Sequence, residues 1–240
     1  MELSEELKIK LKPLLLNEFP NYIFQKFQSS SFCMSYSWLI SHILDFIAIK
    51  SKIKCIAMFL GNSLAMQIIY GEGFETLIRK ITLDKLNKKG TIWTIGVGFT
   101  ADNNDFHTIV QFKDKSILDG TILQASRPQY GLNIENFWDF RENFPSYIYR
   151  MEKYSTNFPR ELGLLYNYQI REDKEVFAGY LATFPEYSAI IHLFCERIEQ
   201  VLNITIFNKE EKILRVLDQA KLSNQGKRFV CSYAKPPKTP

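Results

Sequence analysis

Apolar residues recur at helical spacing in two parts of the first fifty residues. Residues 2–16 have an apolar side made mostly of leucines, and Pro13 predicts a kink or an end there. A second stripe begins just after serines 29–31, which are good helix-capping residues, and continues to about Lys50. Its members are Tyr36, Leu39, Ile40, Ile43, Leu44 and Ile47. The pattern predicts a packing helix and then a longer helix that buries one face.

Runs rich in β-branched and aromatic residues follow that helix and predict strands. The segments between them contain Gly, Asn and Asp, which favour turns. The predicted strands are Ile53 to Leu60, Leu64 to Tyr70, Thr91 to Phe99, His107 to Phe112 and Ser116 to Leu118. Phe74 to Leu86 is predicted as a helix. We therefore expect an antiparallel sheet with helical insertions.

After Pro128 the pattern is mostly helical as far as Val216, and Tyr187 to Leu202 gives the clearest helix. The last six residues, 235–240, are polar and proline-rich, which predicts a flexible tail. The sequence thus predicts an α+β fold with a core of residues 1–128, a mainly helical C-terminal extension of residues 129–234 and the tail.

Composition and charge narrow the function classes. The net charge of +4 is spread along the chain, so nucleic acid is an unlikely partner. The first residues lack the order of a signal peptide, and the apolar runs are too short to span a bilayer, so we expect no membrane insertion. The four cysteines, at 33, 55, 195 and 231, show no C-x-x-C spacing. We expect reduced thiols and a cytoplasmic location.

Cys33 is the candidate nucleophile because it falls in the predicted first turn of the second helix. Unpaired backbone N–H groups at that position favour a thiolate. His107 could hold and return the proton, and Asp119 could fix the orientation of the imidazole ring. A cysteine on an apolar stripe is more often a core residue, but the serine cap before it and the ordered histidine and aspartate favour a catalytic triad.

The loop between two strands tests whether this triad can form. If residues 113–115 make a three-residue loop, Phe112 pairs with Ser116, and His107 and Asp119 become diagonal neighbours on one face of the sheet. A two-residue loop would place the two side chains on opposite faces. The triad prediction therefore depends on the loop length.

An oxyanion formed during acyl transfer needs hydrogen-bond donors. The Cys33 backbone N–H is the first candidate, and the side-chain amide of Gln28 is the second, with Gln25 a weaker choice. His42 shares the helix of Cys33 but points elsewhere. The pair His192 and Cys195 supplies too few ligands for a metal site. We therefore predict no metal and no organic cofactor.

Three stretches together resemble the transglutaminase-like branch of the papain-like cysteine hydrolase superfamily. They run from Cys33 through the helix to Gly61, from Phe106 to Phe112, and from Ile117 to Thr121. The resemblance covers roughly residues 28–128 and implies a papain-like core, with a catalytic helix packed on an antiparallel sheet. By this resemblance Cys33 is the nucleophile, His107 the base and acid, and Asp119 the orienting carboxylate. The interval between His107 and Asp119 is shorter than in most transglutaminases and closer to cell-wall amidases of the superfamily.

The first functional hypothesis is a cysteine-dependent hydrolase or acyltransferase that attacks an amide or ester carbonyl and forms a thioester. A peptidase, a deamidase and a transglutaminase-like enzyme all fit, with a peptide, a protein or a small acyl or amide compound as substrate. The alternative hypothesis is a non-catalytic papain-like module for protein interaction or regulation. A nucleic-acid-associated protein is a third and weaker possibility.

Overall fold

A computed structural model describes residues 3–27, 32–87, 89–97, 107–126, 133–139, 147–150, 161–167 and 186–223. The α-helices in these ranges are α1 (Glu5–Pro13), α2 (Phe19–Phe27), α3 (Phe32–Phe46), α4 (Ser63–Glu72), α5 (Phe74–Leu86), α6 (Tyr187–Leu202) and α7 (Lys209–Ser223). A π-helical turn spans Leu14–Glu18, and a 3₁₀ turn spans Ile122–Ala125. The strands are β1 (Ser51–Gly61), β2 (Thr94–Val97), β3 (His107–Phe112), β4 (Ile117–Asp119), β5 (Phe137–Asp139), β6 (Tyr147–Arg150) and β7 (Glu161–Asn167). The fold of the described part is α+β.

The strands form one antiparallel sheet around the long strand β1. The main path across the sheet is β5-β4-β3-β1-β7-β6. Residues Ser51 to Ile56 of β1 pair with β3, and Ala57 to Gly61 pair with β7. Strand β2 pairs with Met58 to Gly61 and thus follows β3 along the same edge of β1. Because β1 pairs with strands along its whole length, it joins the two parts of the sheet.

Helix α3 packs on the sheet and is itself covered by other helices. Its apolar stripe shares one core with Val110, Phe112 and Leu118, which alternate along β3 and β4. Helices α1, α2 and α6 add their apolar faces to the same core, and Phe19 stacks on Phe194 with ring centroids 3.8 Å apart. Complete burial of each such side chain contributes about 1.5–3 kcal/mol. The helix that carries Cys33 is therefore held from both sides.

Several predicted elements are confirmed with their bounds, namely β3, α5 and α6. The long second helix is confirmed as α3, although it ends at Phe46 instead of Lys50. Helix α1 ends at Pro13, in line with the predicted kink or end, and the chain continues directly into the π-helical turn.

The prediction of a strand at Leu64 to Tyr70 is wrong, since these residues lie in α4. Asn62 caps this helix by accepting a hydrogen bond from the Ala65 N–H at 3.0 Å. Ala65, Met66 and Ile68 are buried with Leu77 of α5, which gives the short apolar run a helical partner. A short apolar run fits either element, and the cap decides here.

The predicted helical pattern between Pro128 and Val216 is wrong in three places, which are strands β5, β6 and β7. Strand β5 pairs with β4, and β7 pairs with the second half of β1. The partner of β7 lies far away in the sequence and the partner of β5 is the preceding strand, and in both cases strand pairing overrides the local pattern. The division of the chain at residue 128 stays a prediction, and the predicted tail, 235–240, lies outside the described residues.

The loop between β3 and β4 has the predicted three residues. Val110 pairs with Leu118 and Gln111 with Ile117, and the Phe112 N–H donates to the Ser116 carbonyl at 2.9 Å. Lys115 turns the chain with a φ of 68°.

In the parts of the chain that are described, no helix is long and apolar enough to cross a membrane.

Asp114 holds this loop in place. Its Oδ1 accepts hydrogen bonds from the Ser116 N–H at 2.9 Å and the Ser116 hydroxyl at 2.7 Å. Its Oδ2 accepts a bond of 2.9 Å from Lys8 Nζ, and the Lys8 side chain is only 5% exposed. Lys8 also bonds Glu5 at 2.9 Å. The N-terminal helix α1 is thereby tied to the hairpin that sets the strand register.

Replacing Asp114 by Ala should lower the free energy of unfolding by about 2 kcal/mol, because it removes two loop bonds and one partner of a buried ammonium group. The matched control is Glu6→Ala, which breaks the exposed ion pair between Lys10 and Glu6 and should lower the free energy of unfolding much less. Urea unfolding measures both. Equal losses in the two variants would contradict a special role for Asp114.

Candidate active site

His107 and Asp119 form a buried pair at one end of the hairpin. His107 Nε2 lies 2.7 Å from Asp119 Oδ2, and the two residues are 4% and 0% exposed. The observed register extends to Ile109 opposite Asp119, so His107 and Asp119 are diagonal neighbours on one face. The three-residue loop therefore brings the imidazole and the carboxylate together, as the sequence predicts.

Thr121 orients the other oxygen of the Asp119 carboxylate. Asp119 Oδ1 accepts hydrogen bonds from the Thr121 N–H at 3.0 Å and from the Thr121 hydroxyl at 3.2 Å. This is an Asx turn, in which an aspartate bonds the backbone two residues on. Because these donors fix Oδ1, Oδ2 is aimed at His107. Such bonds also stabilise the charged form of a buried carboxylate.

Cys33 is the third member of the cluster. Its thiol is free and 6% exposed, and it lies near enough to the His107 ring to raise the pKa of that histidine. With Nε2 on Asp119, Nδ1 is the ring nitrogen left for the thiol. One turn further along α3, the Ser37 hydroxyl donates to the Thr108 carbonyl at 3.1 Å. That bond joins the second turn of α3 to the second residue of β3, next to His107.

The surroundings of His107 favour its protonated form. Burial alone would lower its pKa, but the charge of Asp119 and the hydrogen bond to it act more strongly in the other direction, and Cys33 adds to them. Together they raise the pKa of His107 from 6.5 to about 10. An imidazolium next to a cysteine sulfur is the arrangement in which cysteine acts as a thiolate nucleophile.

Sequence reasoning missed a close approach between Tyr36 and Gly120. A Cβ atom added at Gly120 would lie 2.6 Å from Tyr36 Cε1, closer than carbon atoms can pack. Burial, and after it the charge of Asp119, raises the pKa of Tyr36 well above its usual value, so the phenol stays neutral. Only glycine fits between this ring and the Asp119 carboxylate. A glycine directly after the candidate aspartate was the available signal, but the sequence does not reveal the ring against it.

The other residues considered for the site are Gln28, Gln25 and His42. Gln28, the predicted oxyanion donor, lies outside the described residues, and Gln25 is exposed on α2. The role of Gln28 stays a prediction. His42 is half-buried, with its ring 4.6 Å from that of Trp38.

Cys195 contrasts with Cys33. It is 0% exposed in the core, and burial raises its pKa to about 12, so its thiol stays protonated at neutral pH. Its neighbour His192 instead contacts Glu210 at 3.4 Å. Among the described residues, no three His, Cys, Asp or Glu side chains are grouped as metal ligands. The side chain of Cys55, and Cys231, lie outside what the structure describes.

Comparisons with known proteins give no relatives: no protein-family model, no curated protein and no solved structure matches this chain. The resemblance to transglutaminase-like enzymes stays a prediction from the sequence motifs.

The raised pKa of His107 predicts a pH-dependent contribution to stability. A histidine with a higher pKa in the folded state stabilises the fold fully below its unfolded value, and the contribution is lost as the pH rises through the folded value. The difference in unfolding free energy between wild type and His107→Gln should therefore shrink between pH 6.5 and about pH 10. Urea unfolding across this range measures it, with His192→Gln as the control. A difference that grows toward pH 10 would contradict the assignment.

Proposed function

We propose that the protein is a cysteine-dependent hydrolase or acyltransferase in which Cys33 attacks an amide or ester carbonyl. One observation carries the proposal: the His107 ring bonds the Asp119 carboxylate through Nε2, and the Cys33 thiol lies beside the same ring. A nucleophile bonded to a base, which is in turn bonded to an orienting carboxylate, is the arrangement that acyl transfer requires.

Each side chain has a distinct role in the proposed reaction. Cys33 Sγ attacks the carbonyl carbon, and the carbon–nitrogen or carbon–oxygen bond of the substrate breaks to leave a thioester. His107 gives its proton to the departing amine or alkoxide. Water or an amine then attacks the thioester, His107 takes the proton of that acceptor, and Cys33 is released as thiolate. Asp119 keeps the ring oriented throughout.

The papain-like or transglutaminase-like core belongs to the same proposal. Its support is that α3, which carries Cys33 in its first turn, packs on an antiparallel sheet whose adjacent strands carry His107 and Asp119. We also propose a peptide, protein or small acyl or amide substrate and a cytoplasmic location. The free thiols of Cys33 and Cys195 are compatible with a reducing compartment.

Burial of the cluster favours a second candidate, a papain-like module that binds a partner without catalysis. Cys33, His107 and Asp119 are 6%, 4% and 0% exposed. In such a module the His107–Asp119 pair would only stabilise the hairpin and the start of α3. The thiol would then react slowly, and its reactivity would not depend on His107.

Thiol labelling separates the two candidates. Cys33→Ala should abolish covalent labelling by iodoacetamide and acyl transfer from an activated ester at neutral pH, because Cys33 is the proposed nucleophile. Cys195→Ala should leave both unchanged, since the Cys195 thiol is buried and protonated. His107→Gln should slow the acyl transfer by about 10²–10⁴-fold, the usual contribution of general acid–base catalysis.

Mass spectrometry of the labelled peptide, with a burst assay for the activated ester, measures these effects in wild type and variants. Labelling that survives in Cys33→Ala and is lost in Cys195→Ala or Cys55→Ala would reject the nucleophile. A Cys33 that reacts equally fast with and without His107 would favour the binding module.

A further inference from the structure

The π-helical turn between α1 and α2 leaves backbone carbonyls available near the candidate site. Within the turn, the Phe19 N–H bonds the Leu14 carbonyl five residues back. If the π-helical register continued, the Leu15 carbonyl would accept a hydrogen bond from the N–H of residue 20. If the chain returned to α-helical register, the Leu16 carbonyl would accept a hydrogen bond from the same N–H. Residue 20 is Pro20, which has no N–H. Neither carbonyl can therefore accept a hydrogen bond from residue 20.

Two side chains donate to these carbonyls. The Tyr36 hydroxyl donates to the Leu15 carbonyl. Asn136 Nδ2 donates to the Leu16 carbonyl at 2.8 Å, while its Oδ1 accepts from the Leu123 N–H at 3.3 Å. Satisfied polar groups of this kind hold buried elements in one arrangement, because losing a partner leaves a buried carbonyl unpaired.

These two contacts reach the two sides of the Cys33–His107–Asp119 cluster. Tyr36 lies three residues after Cys33 on α3. Asn136 directly precedes β5, whose Phe137 pairs with Asp119. The π-helical turn is thus tied to the helix of the nucleophile and also to the strand beside the carboxylate.

The Tyr36 ring adds a direct contact across the site. A Cβ at Gly120 would lie 2.5 Å from the Tyr36 hydroxyl oxygen and 2.6 Å from Cε1, so the ring packs on the backbone of residue 120. Its hydroxyl is held by Leu15, which prevents the ring from moving away without losing a hydrogen bond. The spacing between α3 and the Asp119–Gly120 backbone is therefore set by the ring.

We propose that Tyr36 is a positioning residue, which the π-helical turn holds against Gly120 so that the Cys33 thiol meets His107 in bonding geometry. The inference rests on the proposed function, because it concerns the reactivity of Cys33. Tyr36 acts through the spacing of the two elements and takes no part in the chemistry. Pro20 is the residue that reserves the Leu15 and Leu16 carbonyls for Tyr36 and Asn136.

The decisive readout is the pH profile of Cys33 alkylation in folded protein. Near neutral pH the rate depends on the pairing with His107, whereas at high pH any exposed thiol becomes a thiolate and needs no partner. Loss of positioning should lower the neutral-pH rate by about tenfold to a hundredfold, the scale of a misplacement near 1 Å. The alkaline limit should stay close to that of wild type.

Four variants should show this change. Tyr36→Phe keeps the ring but loses the bond to Leu15, and Asn136→Asp loses only the amide donor. Pro20→Ala supplies the missing N–H, which then competes with both side chains for the carbonyls. Gly120→Ala places a methyl group against the Tyr36 ring. The control is Tyr70→Phe, which removes the hydroxyl of an exposed tyrosine on α4 and should leave the profile unchanged.

A rescue variant covers the case in which Gly120→Ala fails to fold. Leucine lacks the ring atoms that the new methyl group would meet, so Gly120→Ala combined with Tyr36→Leu should be more stable than Gly120→Ala alone. The rescued protein should still show the lowered neutral-pH rate, because the ring and its anchor are absent.

The two proposals fail in different ways. If the wild-type rate near neutral pH equals that of His107→Gln, the proposed function and the positioning role are both rejected. If wild type depends on His107 but Tyr36→Phe, Pro20→Ala and Gly120→Ala keep the wild-type profile, the positioning role alone is rejected.

Discussion

The register of the β3–β4 hairpin is the constraint on which the candidate site depends. With three residues between Phe112 and Ser116, the alternation of side chains places His107 and Asp119 on the same face, 2.7 Å apart at their nearest polar atoms. One residue fewer would turn one of them to the other side of the sheet. Asp114 maintains this loop length by bonding both donors of Ser116, and Lys8 fixes Asp114 from α1.

The same register places a charged pair where water is excluded, and the neighbouring bonds make this tolerable. An isolated buried carboxylate is costly, but Asp119 accepts hydrogen bonds from the N–H and hydroxyl of Thr121 and pairs with His107. The resulting field keeps the imidazole protonated, although burial acts against this. The site therefore combines a local turn, a strand register and a helix start, and no one of these elements could form it alone.

The sequence predicts those parts of the site that depend on short-range rules. The apolar stripe and serine cap locate α3, and the loop length with strand alternation pairs His107 with Asp119. The sequence prediction fails at α4, because a short apolar run suits either a helix or a strand. The Asn62 cap favours the helix there. The sequence prediction fails again at β5, β6 and β7, because pairing with other strands, including the distant strand β1 in the case of β7, overrides the local helical pattern.

The sequence does not predict the parts of the site that depend on contacts between distant elements. Gly120 stands next to Asp119 in the sequence, but its necessity becomes clear only when the Tyr36 ring is found against it.

Pro20 shows how a distant residue can belong to the same arrangement. A single missing N–H leaves the Leu15 and Leu16 carbonyls without the donor that a continuing helix would provide. Buried carbonyls must be paired, so the fold recruits Tyr36 from the helix of Cys33 and Asn136 from the segment before β5. The missing N–H of Pro20 thus allows specific hydrogen bonds between the π-helical turn, α3 and the segment before β5. It follows that the N-terminal helices are part of the scaffold of the candidate active site and do more than cover the core.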